Sequence, residues 1–281
     1  MPETLIRAFE SGHEPLVFQG AQREMIAADL RVRVETPKLI SQETASLCGP
    51  AAFMYCVASA YPRQYVSYVI ELATKGEASL GKMKVKPSQA CRHPRISAIG
   101  YTDWIALASL RDSTNSFFNM NGEDASMAGI TTGGNLSAWF ESSGLFNQVT
   151  DQAHYLSAGS LQGLLAAERS SRLGNYVCLL VRAAILGKVG GELHMSKIGR
   201  NTPKTILGTP DHWIVVQGPM NLGPYCYNSA CPDHTEALLD KELDFQVYSW
   251  GALGKINGRI NKLTTRSFLP YFYGFVAAHR A

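Results

Sequence analysis

Apolar positions in the first half of the chain recur at helical spacing, whereas those in the second half gather into short runs of strand length. ETASLCGPAAFMYCVASAYP reads as a buried helix. Thr44 or Ser46 can cap it, Pro50 suits its first turn, and Pro62 closes it. RQYVSYVIELATKG continues as a second helix, with Val66, Val69, Ile70 and Ala73 on one face and Gly76 past its end. Residues 1–40 read as an irregular or extended lead-in, with LRVRVET a short strand within it. The stretch 76–130 is mixed and rich in Gly, Ser and Asn, with one helix predicted near DWIALASLRDS.

Beyond it, GGNLSAWFESSGLFNQV predicts a helix over 135–143, then Gly144 and a short strand. SAGSLQGLLAAERSSRLGNYVCLLVRAAIL repeats that plan: a capped helix, Gly174, and an apolar strand over 176–185. Residues 187–210 are predicted to form a surface loop long enough to act as a lid. DHWIVVQG and PYCYNSA read as two strands joined by a Pro/Gly turn, and LDFQVYSWG and YFYGFVAAH as two more. Helices first and strands later predict an α+β fold with an antiparallel sheet. With no repeat, low-complexity tract or linker in the 281 residues, a single domain over 1–281 is expected.

Composition narrows the classes. Hydrophobic residues make up 46% and charged residues 17%, which supplies a core and excludes a disordered chain. The net charge of +3 is dispersed, so neither nucleic acid nor a membrane surface is an expected partner. No apolar run reaches the ~18 residues of a membrane span. MPETLIRAFESGHEPLVF lacks the basic start and apolar core of a signal peptide, so a cytoplasmic origin is expected, with export only through a specialised system. Six cysteines are too sparse for a disulfide scaffold, and Cys56 and Cys178 sit in apolar runs as buried thiols. Cys226, Cys231 and His234 give C-x4-C-x2-H without a fourth ligand at natural spacing, so no metal is expected. GKVGG lacks the Lys-Ser/Thr of a phosphate loop, and no cofactor is expected. The basic run KMKVKPSQACRHPR reads as a solvated face.

One cysteine stands apart. Cys48 falls at a predicted helix start, where the dipole and a neighbouring histidine can lower a thiol from about 8.5 into the range of a working nucleophile. Gly49 leaves room for substrate to approach the backbone. Six residues earlier, Gln42 is a candidate side-chain donor to an oxyanion. Of seven histidines, His212 opens an apolar strand after a loop, a position that fixes a side chain at a cleft edge. If Pro219–Pro224 is a hairpin turn, Asn228 falls opposite it, about 5 Å away, and can orient the imidazole. Asp244 and Ser249, in LDFQVYSWG, are rival orienting groups. An aromatic strand packed on the core is the plainer reading of that segment.

Gln42, five residues and then Cys48-Gly49-Pro50-Ala51 resemble the nucleophile segment of the papain-like cysteine peptidase superfamily, most of all its bacteriocin-processing (C39-like) branch. His212 opening its strand, with Asn228 in YNSA, is similar to the His and Asn/Asp segments of the same superfamily, in the same order. The branch usually carries Asp where this chain has Asn228. The resemblance implies a papain-like fold, with an N-terminal helical part carrying the nucleophile packed on an antiparallel sheet. It also implies a hydrolase cleaving amide bonds through Cys48, His212 and Asn228, with Gln42 at the oxyanion: a protease, a deamidase or an amidase. Protein or peptide substrates follow, peptidoglycan peptides among them, as does a bacterial effector toxin with a secretion-system or immunity partner. The alternative is an inactive papain-like scaffold used as a binding module; a Cys-dependent acyltransferase is a third class.

Overall fold

The computed structural model describes residues 1–114, 122, 131–189, 192–195, 209–222, 232–257 and 263–281. They form two compact units, Met1–Asn147 with Arg280–Ala281, and Gln148–His279. The α+β class with a largely antiparallel sheet is as the pattern predicts.

The first unit is helical. Its centre is α3 (Cys48–Ala60), in which every residue but Cys48 and Ser59 is buried. Such a helix needs cover on all sides. It packs on α4 (Pro62–Lys75), α6 (Tyr101–Thr114) and α7 (Gly133–Ser143). Phe53 meets Phe140 edge-on at 5.0 Å between ring centres, and Phe140 meets Phe146 at 4.9 Å. Pro62 starts α4 as well as following α3, and Gly76 ends α4 at φ +74°, a left-handed position that glycine takes without strain. Thr132 caps α7 in a reciprocal capping box with Asn135. A short hairpin, β1 (Ala78–Leu80) and β2 (Met83–Val85), and α5 (Gln89–Arg92) fill the stretch expected to be mixed.

The expected irregular lead-in is instead α1 (Pro2–Glu10), α2 (Arg23–Glu35) and a 3-10 turn at Pro37–Leu39. The alternation in LRVRVET suggested a strand because its arginines look like an exposed face. In the helix both arginines are paired: Arg31 with Glu3 and Glu10 of α1, and Arg33 with Asp29 and Asp103. Ile26, Ala27 and Leu30 supply the buried stripe at helical spacing.

The second unit is built on a sheet. Its strand order is β3 (Phe146–Asp151), β10 (Phe272–Arg280), β4 (Tyr176–Val181), β7 (His212–Asn221), β8 (Asp244–Ser249), β9 (Ala252–Asn257), β6 (Glu192–Met195) and β5 (Leu186–Val189). The β6–β9 pair is parallel, and the other pairs with a described register are antiparallel. α8 (Leu161–Arg172), capped by Ser160, packs on β4 and β7. Leu164, Ala167, Val177, Leu179, Ile214, Val216 and Phe275 belong to one apolar cluster. The helices α9 (Pro232–Leu239) and α10 (Thr265–Phe268) complete the unit.

Two expectations in this unit are corrected. The proposed lid loop begins as the β5–β6 hairpin, with Val189 paired to Glu192; the remainder, 196–208, lies outside the described residues. β7 does not turn at Gly218–Pro219 but continues to Asn221 through a register shift between Gln217 and Asn221. A bulge admits proline, which has no N–H for the ladder. Past it, Met220 N–H donates to Ser171 Oγ at 3.0 Å and Leu222 N–H to Glu168 Oε1 at 3.0 Å. Side chains of α8 thus replace the partner strand.

Candidate active site

In the first unit the segment before α3 is bound tightly to itself. Ser41 Oγ donates to Glu43 Oε1 at 2.7 Å and accepts the Glu43 N–H at 3.2 Å, around a Glu43 held at φ +47°. Ala45 N–H donates to Gln42 O, and Leu47 N–H to Ala45 O. Gln42 is only 6% exposed, and its Nε2 donates to Ala45 O at 2.8 Å. A primary amide carries two N–H donors. Ala45 uses one and thereby orients the group, and the other is not needed for that bond.

Cys48 follows as the first residue of α3, half-buried and not in a disulfide. The expected caps, Thr44 and Ser46, do not serve: the cap position is Leu47, which makes no side-chain cap. The first turn holds no acidic residue either. A helix start without a side-chain acceptor keeps its positive end available to an anion, and a thiolate is such an anion. Gly49 also has a packing role: a Cβ there would stand 2.4 Å from the Thr131 side chain.

In the second unit His212 opens β7, as expected, and is 3% exposed. Its Nε2 lies 2.5 Å from Ser249 Oγ, itself 2% exposed. Trp250 stacks on the imidazole, ring centres 4.4 Å apart and planes 25° from parallel. That ring is delivered by a two-residue turn. Ser249 pairs with Ala252, and Trp250 and Gly251 take φ of +46° and +70°, the signs of a type I′ hairpin turn. Asn or Gly is usual in the place Trp250 holds, and left-handed backbone in such a residue costs on the order of 1–3 kcal/mol. Burial pushes the His212 imidazole down from 6.5 to about 3, so within this environment the ring is neutral.

Of the four predicted site residues, Gln42 and Cys48 lie in the first unit and His212 in the second. Asn228 lies outside the described residues, as do Cys226 and Cys231. β7 pairs with β4 from His212 to Val215 and with β8 from Val215 to Gln217, and the second strand of the expected hairpin lies outside the described residues. Asp244, one rival orienting group, is exposed and pairs with Lys255 at 3.1 Å. Ser249, the other, holds the histidine. Asp112 accepts the Ser88 N–H and Asp211 the Ala183 N–H, both at 2.6 Å, so these acids have structural partners. No helix among the described residues is long and apolar enough to cross a membrane. No family model, no characterised protein and no solved structure matches this chain.

Proposed function

We propose that the chain is a cysteine hydrolase of papain-like type that cleaves an amide bond, with Cys48 as nucleophile and His212 as general acid and base. One observation carries the reading: Cys48 is the half-buried first residue of a largely buried helix whose start no side chain caps. In this reading Sγ attacks the carbonyl carbon, and the oxyanion accepts from the Cys48 N–H and the spare N–H of Gln42. His212 gives its proton to the leaving amine and then takes one from the water that opens the thioester. Ser249 holds the ring where an amide or carboxylate is usual. A hydroxyl both donates and accepts, so it fixes the ring's orientation without fixing its tautomer. Protein, peptide or peptidoglycan-peptide substrates, and a role as a secreted bacterial effector with an immunity partner, belong to this proposal.

A second reading, the inactive scaffold acting as a binding module, is favoured by the neutral, buried state of His212. Site-resolved alkylation with limiting iodoacetamide separates the two. The hydrolase reading expects Cys48 to react fast below neutral pH and His212→Ala to slow it about 10²-fold at pH 6, since an ordinary thiol near 8.5 is well under 1% thiolate there. An ordinary thiol profile that ignores His212 supports the scaffold.

A further inference from the structure

The segment carrying Gln42 makes most of its hydrogen bonds within itself, so what fixes it from outside is a separate question. Ser41 N–H, the amide next to Gln42, donates to Asp103 Oδ2 at 3.2 Å. Asp103 comes from the first turn of α6 and is 2% exposed. Arg33 of α2 grips the same carboxylate with two bonds, Nε to Oδ1 at 3.2 Å and a terminal nitrogen to Oδ2 at 2.8 Å. The other terminal nitrogen of Arg33 donates to Asp29 Oδ1 at 2.9 Å, and Thr102 Oγ1 donates to Asp29 Oδ2 at 2.9 Å. Two helices are thus clamped on a carboxylate whose remaining use is to receive one loop amide.

A buried ion pair is a poor means of gaining stability, because well-packed apolar residues of similar size do as well or better. Its geometric specificity is what apolar contacts lack. We infer that Asp103, held by Arg33, is a positioning residue that sets the Gln42 side chain for the oxyanion by fixing the Ser41 amide. The inference rests on the hydrolase reading.

The test compares two double variants of the full chain with the parent and Gln42→Ala. Arg33→Met with Asp103→Leu removes both charges and the acceptor for Ser41; Arg33→Met with Asp103→Asn removes both charges and keeps an acceptor. Thermal melting establishes that each is folded. Two reagents are read at Cys48 by peptide mass spectrometry. p-Nitrophenyl acetate forms the Sγ–acyl bond through an oxyanion and expels p-nitrophenolate; iodoacetamide forms an Sγ–carbon bond with loss of iodide and no oxyanion. The expected result is that the Leu variant and Gln42→Ala slow acylation on the order of 10²-fold, leave alkylation unchanged, and the Asn variant restores acylation. Hydrogen exchange at the Ser41 amide should speed up in the Leu variant alone. Acylation slowed by Gln42→Ala but not by the Leu variant overturns the inference and leaves the hydrolase reading standing. Equal loss of acylation and alkylation in the Leu variant also overturns it, as a general structural effect. Parent alkylation that ignores His212 overturns the hydrolase reading itself.

Discussion

In the first unit the Cys48 thiol is half-buried at the positive end of a helix that no side chain caps. In the second, the imidazole lies almost fully buried between a serine hydroxyl and an indole, on a strand whose next residues are Trp213, Ile214 and Val215. The first environment favours a negative charge, while the second opposes a positive one. The comparison teaches what the hydrolase reading demands: a thiolate–imidazolium pair would need each side to supply the counter-charge that the other lacks.

Removing the counter-charge breaks the comparison most sharply. In Cys48→Ala the folded-state value for His212 is expected near 3 and the unfolded value near 6.5. The folded state then binds fewer protons, so stability is full above 6.5 and falls as pH drops toward 3, by up to about 1.4 kcal/mol per unit. On the hydrolase reading a thiolate beside the ring would raise the folded value in the wild type and remove that acid loss. Urea unfolding between pH 7 and 4 measures the difference, with Cys48→Ala/His212→Gln as the control lacking the slope.

Smaller effects sharpen each side separately. Gly49→Ala puts a methyl into the Thr131 side chain and is expected to destabilise the first unit by about 1–3 kcal/mol, read from the melting temperature. A smaller drop in melting temperature in Gly49→Ala/Thr131→Gly than in the single variant would locate the fault in that contact. Ser249→Ala removes the hydrogen bond to His212 and is expected to cost about 1 kcal/mol of stability, with the imidazole NMR signal broadened by a looser ring.

Much of this was legible from spacing alone. α4 ends at Gly76 and α7 at Gly144, and β4, β7 and β10 begin where apolar runs begin, because each is specified by neighbours in sequence. What failed was set at a distance. The lead-in is helical because Arg31 and Arg33 find acids on α1 and α6, 21 and 70 residues away. Asn228 lies outside the described residues, while Ser249 reaches the histidine only through the β7–β8 register, which brings it near a residue 37 positions earlier. The signal that would have raised it was Trp-Gly closing an alternating strand, which marks a tight hairpin whose flanking residue faces the site.

The direct test of the central claim is the titration of His212 itself, followed by its Cε1 proton resonance in wild type and in Cys48→Ala. The hydrolase account predicts a wild-type midpoint well above the value of about 3 that burial alone gives, falling to that value when the thiol is removed. A midpoint near 3 in both proteins would contradict it: the imidazole would then be a buried neutral ring, and Cys48 a thiol without a base.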